Sequence, residues 1–282
     1  MRKPVRIVVA VLFIAAVALV AWRTLRPREP EPSYQGKGLR AWLAENEAGW
    51  ARSDWREQDQ AEKALRRIGT DAIPTLLTML RKRDLLPLFP TFSSAQQHPH
   101  LFQFWWRHVY ENPYLPRSVR VPARQQNLQA LKGFEVLRSE ALPAVPALIE
   151  IYERRISPDS EHCTCQALLA IGPDAMRAAI PSFLRALAGT DVRSREQAIW
   201  ALSNAHVEPL LVVPALAKCL NDTNAAIRKA AVMGLHEVGF AARPAVPALV
   251  PLLKDPDAGV RAATAQALPR ISYDDAVKAG LK

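Results

Sequence analysis

Apolar residues follow a proline at two, three and six places in five segments of the chain: Pro74-Leu76-Leu77-Leu80, Pro146-Leu148-Ile149-Tyr152, Pro181-Phe183-Leu184-Leu187, Pro214-Leu216-Ala217-Leu220 and Pro247-Leu249-Val250-Leu253. This spacing places the apolar side chains on one helix face. Proline is suited to opening such a helix, because the first turn does not use that N–H. A polar break and a second apolar period follow each of the last four phrases. In the clearest unit, residues 245–271, Lys254-Asp255-Pro256-Asp257 stops the first helix. Asp257 then caps a second helix from Ala258 to Leu268, which Pro269 is expected to end or kink. Val260, Ala263, Ala267 and Leu268 form its buried stripe. The last four prolines are 35, 33 and 33 residues apart. A fixed period of this size predicts an all-α chain of stacked helix pairs, a solenoid in which each unit touches only its neighbours.

The run Pro247-Ala-Leu-Val-Pro-Leu-Leu-Lys-Asp-Pro-Asp-Ala-Gly-Val-Arg-Ala-Ala-Thr-Ala-Gln-Ala-Leu resembles the HEAT-repeat family. The likeness is good over residues 123–271, weaker over 56–84 and absent between them. Ankyrin and tetratricopeptide units have similar periods, but their marker residues are missing. The short period is similar to that of bacterial HEAT-like units also found in phycobilin lyases. The stretch Tyr34-Gln-Gly-Lys-Gly-Leu-Arg-Ala-Trp-Leu43 further resembles membrane-anchored HEAT-repeat proteins. The resemblance implies a right-handed α-solenoid of HEAT-like helix pairs and an anchored body. It implies no activity.

Two regions break the pattern. Residues 7–22 are sixteen consecutive apolar residues, flanked by Arg2, Lys3 and Arg6 on one side and Arg23, Arg26 and Arg28 on the other. A cleaved export signal and an uncleaved single-pass anchor both fit. The anchor is preferred, because the segment before Arg23 lacks a polar cleavage region. Residues 1–26 are therefore read as a transmembrane anchor or signal segment and 27–33 as a Pro-rich linker. Residues 34–84 are an N-terminal helical cap with the first unit, and 123–282 the main repeats. A short N-terminal tail that stays inside places the repeat body outside the cytoplasmic membrane. The second break, residues 85–122, is an insertion holding eight of the twenty aromatics. These either pack over a degenerate unit or form a partner-binding lid anchored by Trp105 and Trp106.

Composition narrows the function. The formal charge is +10, but residues 1–33 alone carry +4, and 123–282 carry only +2. A nucleic-acid binder concentrates its charge on the folded part, so nucleic acid is not the expected partner. Three cysteines, Cys163, Cys165 and Cys219, do not make a disulfide framework. His162-Cys163-Thr-Cys165 is the best metal candidate, but adjacent ligands on one helix point different ways. His98, His100 and His108 lack an accompanying acidic or thiol cluster. No nucleophile elbow, phosphate loop, zincin motif or dinucleotide fingerprint occurs, and no cofactor is expected.

What remains points to binding. Trp200, Met233, His236 and Gln266 fall on the exposed side of the second helices and are candidates for a partner groove. Arg195, Arg228 and Arg261 recur every 33 residues alongside Asp191, Asp222 and Asp255 or Asp257. They form either a structural ion-pair ladder or an anion-binding stripe. The expected function is a non-catalytic scaffold at a bacterial membrane that binds a protein or peptide. The rival expectation, by the lyase resemblance, is an enzyme or chaperone that cradles a prosthetic group on a client protein.

Overall fold

A computed structural model describes residues 31–83 and 123–281. It opens with a two-residue hairpin, β1 (Ser33–Tyr34) and β2 (Lys37–Gly38). Gln35 and Gly36 between them both have positive φ, 51° and 76°. Two such residues make the tight turn whose twist matches paired strands. The hairpin is the departure from an all-α chain among the described residues. The predicted linker does not run free to residue 33. The Pro32 carbonyl accepts from Leu39 N at 2.9 Å, and the Glu31 carboxylate accepts from Arg40 N. These contacts tie the end of the linker to the start of α1 (Leu39–Arg52).

From there the chain alternates first and second helices. The second helices are α2 (Trp55–Ile68), α4 (Ala123–Leu137), α6 (Pro158–Ile171), α8 (Val192–Asn204), α10 (Ala225–Val238) and α12 (Ala258–Ile271). The first helices are α1, α3 (Ile73–Leu80), α5 (Val145–Glu153), α7 (Pro173–Leu187), α9 (Pro209–Cys219) and the short α11 (Val246–Leu249). A last helix, α13 (Tyr273–Lys278), packs on α12. Successive second helices pack on one another more extensively than successive first helices do. The more tightly stacked layer lies inside a curve, so the second helices form the inner wall of the solenoid.

Both ends of the second helix repeat. Its N-cap is Asp54, Ser157, Asp191, Asn224 or Asp257, each accepting a backbone N–H of the first turn. The chain then leaves the second helices α2, α4, α6, α8 and α10 through a positive-φ residue: Gly69, Arg138, Gly172, His206 and Gly239. A left-handed residue at this point satisfies helix-end carbonyls and turns the chain. Glycine holds three of the five positions, and Arg138 (φ 49°) and His206 (φ 50°) hold the other two.

Between these ends, the residue five places before the turn is always small: Ala64, Gly133, Ala167, Ala201 and Gly234, with Ala267 in α12. All six are buried. Here the first helix approaches closely. A Cβ added to Gly133 would lie 2.6 Å from Leu76 Cδ2 on α3. The next residue is always large and fully buried: Leu65, Phe134, Leu168, Leu202, Leu235 and Leu268. Small against large, repeated at one register, is what makes the units stack interchangeably.

Two expectations about proline need correction. Pro74 and Pro146 stand in the first turn of their helices, but Pro181 and Pro214 lie inside α7 and α9, which begin earlier, at Pro173 and Pro209. Pro269 does not end α12 at Leu268; the helix runs on to Ile271. Leu268 and Ile271 are both fully buried. Packing of the last turn outweighs the backbone bond that proline removes.

Candidate functional site

The inner wall is the surface that the architecture leaves for binding. Counted back from the helix-ending turn, one register presents Lys63, Lys132, Gln166, Trp200, Met233 and Gln266 in successive units. Trp200 is half-buried, and its ring lies 5.4 Å from that of His162 on α6, tilted at 45°. His162 Nδ1 is 3.2 Å from Gln197 Oε1. Met233 is half-buried against the core, and Gln266 is exposed. His236, one turn along from Met233, is half-buried, with Nδ1 enclosed and no hydrogen-bond partner. These four sequence-derived candidates thus share one face. Trp105 and Trp106 lie outside the described residues.

Arg195, Arg228 and Arg261 sit elsewhere, near the start of the second helices. Arg195 Nε donates to Leu187 O at 3.1 Å, and its guanidinium pairs with Asp222 of the next unit. Arg228 repeats the arrangement. Its Nε and Nη2 donate to Asp255 at 2.8 and 2.7 Å, while Nη1 donates to Asp222 O and Thr223 O. Arg261 Nη1 donates to Asp255 O at 2.8 Å, and no carboxylate pairs with it among the described residues. Each arginine therefore closes the loop before its own helix and, where another unit follows, bonds to that unit's aspartate. The aspartates divide into two roles. Asp191 and Asp257 cap helices, whereas Asp222 and Asp255 take the inter-unit pair and also accept from Asn224 N and Asp257 N. The Arg195 and Arg228 hydrogen bonds hold the Asp222 and Asp255 carboxyls below the usual aspartate range.

At the same register in α6 the arginine is replaced by Glu161. This glutamate is only 8% exposed, and Oε1 has no hydrogen-bond partner. The hydroxyl of Tyr152 on α5 and Nε2 of Gln197 on α8 are also enclosed and unpaired. Burial pushes the Glu161 carboxyl up, Asp191 adds to the rise, and a hydrogen bond with Ser194 and the charges of Arg155 and Arg193 oppose it. A raised carboxyl means that the folded state holds its proton more tightly than the unfolded state. The ionised group thus weakens the fold as pH rises above the usual glutamate range, and costs nothing below it. Glu161→Gln is expected to raise Tm at pH 7 by more than at pH 4. Thermal unfolding followed by circular dichroism at both values checks this; a larger gain in acid contradicts it.

The predicted metal candidates do not converge. No group of three or more potential ligands comes together among the described residues. Cys163, Cys165 and Cys219 are free and buried. Burial pushes the Cys163 thiol up to about 12, and raises the other two as well. His98, His100 and His108 lie outside the described residues.

Sequence reasoning missed one feature, an open cavity of about 340 Å³ on the inner wall between α2, α4 and α6. Its lining includes Glu62, Arg66, Lys132, Glu135, Arg138 and Ala170. The available signal was Arg138 itself, an arginine standing where three of the other four turns have glycine.

A family profile described as HEAT repeats matches residues 213–279, from within α9 through α12 and α13. Over that stretch the chain is similar to HEAT repeats. Upstream of the match, the same small–large register and positive-φ turn continue back to α2. A comparison with curated proteins gives no match. Among solved structures, an engineered protein from the Northeast Structural Genomics Consortium is 17% identical, with a TM-score of 0.40 over 72% of this chain and 90% of that one. A designed armadillo repeat protein in complex with the peptide (KR)4 is 13% identical, with a TM-score of 0.41 over 84% of this chain and all of that one.

Proposed function

We propose that the chain is a non-catalytic, right-handed HEAT-repeat scaffold. Residues 7–22 tether it to a bacterial membrane, and its inner wall holds a protein or peptide partner. The predicted anchor lies outside the described residues. Among those residues, no helix is long and apolar enough to cross a membrane. The observation that carries the scaffold reading is the shared face of Trp200, Met233, His236 and Gln266. Trp200, Met233 and Gln266 belong to a register that varies from unit to unit, whereas the next two positions are always small and then always large and apolar. Stacking alone explains the invariant positions and leaves the varied row free to recognise a surface. The rival reading, in which a prosthetic group is handled, gains no nucleophile from three buried, protonated thiols.

Crosslinking in native membranes followed by mass spectrometry tests the scaffold. The expected result is a stoichiometric polypeptide, lost from the Trp200→Ala/Met233→Ala double variant while the protein stays folded. Coloured material co-purifying with the chain in place of a polypeptide would reverse the reading. Recovery of the chain in the soluble fraction would remove the tether.

A further inference from the structure

We propose that the cavity between α2, α4 and α6 receives a carboxylate from an acidic segment of the partner, with Arg138 as its principal ligand. This inference rests on the scaffold reading above and names the chemistry of the partner.

The argument begins with the charges of the lining. Glu62 lies 3.9 Å from Arg66 on its own helix, and Glu135 lies 3.2 Å from Lys132 on its own helix. Both acids of the cavity therefore have a cation beside them. Arg138 is the lining cation with no ion pair or hydrogen bond among the described residues. Three cations against two carboxylates leave one positive charge over. A guanidinium offers a planar fork of donors that matches a carboxylate in two parallel hydrogen bonds.

The backbone supplies the second observation. Arg138 holds φ at 49°, and the corresponding turns at Gly69, Gly172 and Gly239 use the residue suited to positive φ. An arginine there forgoes backbone stability without gaining a contact inside the protein. Strain of this kind at the edge of a charged cavity points to a ligand outside it.

The rim indicates what accompanies the acid. The Lys132 ammonium lies 5.1 Å from the ring centroid of Trp50, which is 59% exposed. Leu128, 46% exposed, is one turn before Lys132 on the same face of α4. An acidic side chain in the cavity would thus have an apolar neighbour over Trp50 and Leu128. The fitting partner is a segment in which acidic and aliphatic residues adjoin.

The test is fluorescence anisotropy of the full chain in lipid nanodiscs. The probes are fluorescein-labelled Glu-Leu, Gln-Leu and Lys-Leu peptides of one length and varied order, with inorganic phosphate tried separately. Acidic members are expected to bind, and to bind less tightly as salt is raised. Arg138→Gly and Arg138→Gln should each weaken binding by about tenfold. The glycine variant should unfold at the same temperature as the wild type or higher, because it relieves the backbone, so its loss of binding cannot come from unfolding. The proposal fails if no acidic peptide binds, if Lys-Leu peptides bind as well, or if neither variant weakens binding. It also fails if phosphate binds and acidic peptides do not, which would make the cavity a phosphate site. Crosslinking from position 200 separates this inference from the reading beneath it. A polypeptide captured there in spite of any of these failures leaves the scaffold standing without the acidic site.

Discussion

Phe134→Ala is expected to lower the unfolding free energy by about 3–5 kcal/mol, the usual cost of emptying a buried aromatic site. Phe134 has no exposed surface and occupies the always-large register of α4. The other second helices carry leucine there, so Phe134 fills the most volume of the row. Its neighbour Gly133 is already in close approach to Leu76 on α3. That geometry limits how far α3 and α4 can collapse into the space left behind, and a site that cannot collapse gives costs at the high end of the range. Because each unit touches mainly its neighbours, the damage should concentrate in α2 to α6. Urea denaturation followed by circular dichroism measures the total. Hydrogen exchange by mass spectrometry shows whether protection falls there and survives in α10 and α12. A change within about 0.5 kcal/mol, the ordinary range for a surface substitution, would show that the register is not a core.

Arg228→Ala should lower Tm by several degrees, well beyond the effect of Arg154→Ala on the exposed pair with Glu150. The Asp255 side chain is 4% exposed and Arg228 12%, so removing the guanidinium leaves a carboxylate enclosed without its partner. Breaking one side of such a pair destabilises more than the pair itself stabilises. The Asp222 and Thr223 carbonyls lose their donor at the same time. The double variant Arg228→Ala/Asp255→Ala should recover part of the loss, which a double-mutant cycle measures directly. The pH dependence has a definite sign. Asp255 is held below its usual range by Arg228, so the pair contributes fully above that range. The contribution is lost as pH falls through the lowered value. The gap in Tm between wild type and variant should therefore narrow in acid, and a gap that widened would contradict the pairing.

The ladder also shows how far sequence reasoning reached. The 33-residue recurrence of Arg195, Arg228 and Arg261 with nearby aspartates was legible as a possible ladder. Which aspartate each arginine meets was not. Asp191 lies closest to Arg195 in sequence, yet it caps α8, and the ion pair goes to Asp222 in the next unit. Adjacency along the chain reports helix caps; partners across units depend on how the helices stack. Trp200, Met233, His236 and Gln266 were placed on one face by counting residues, because helix period and repeat period together determine a face. Glu161 was passed over for a related reason. Its neighbours His162, Cys163 and Cys165 drew attention as chemistry, while the burial of the Glu161 carboxylate and its unpartnered Oε1 are visible only in the folded stack.

By itself, the order of apolar and polar residues determined that this chain makes helix pairs, where they repeat, and which side chains stack. Those properties follow from local geometry at a period of 3.6 residues within a unit and about 33 between units. Only the tertiary structure decided the rest. It showed that prolines inside α7, α9 and α12 are absorbed by packing, that Arg195 and Arg228 pair with the aspartate of the next unit, and that Arg138 faces a cavity with no partner of its own. These depend on distances between residues far apart in the chain, which a linear pattern does not carry.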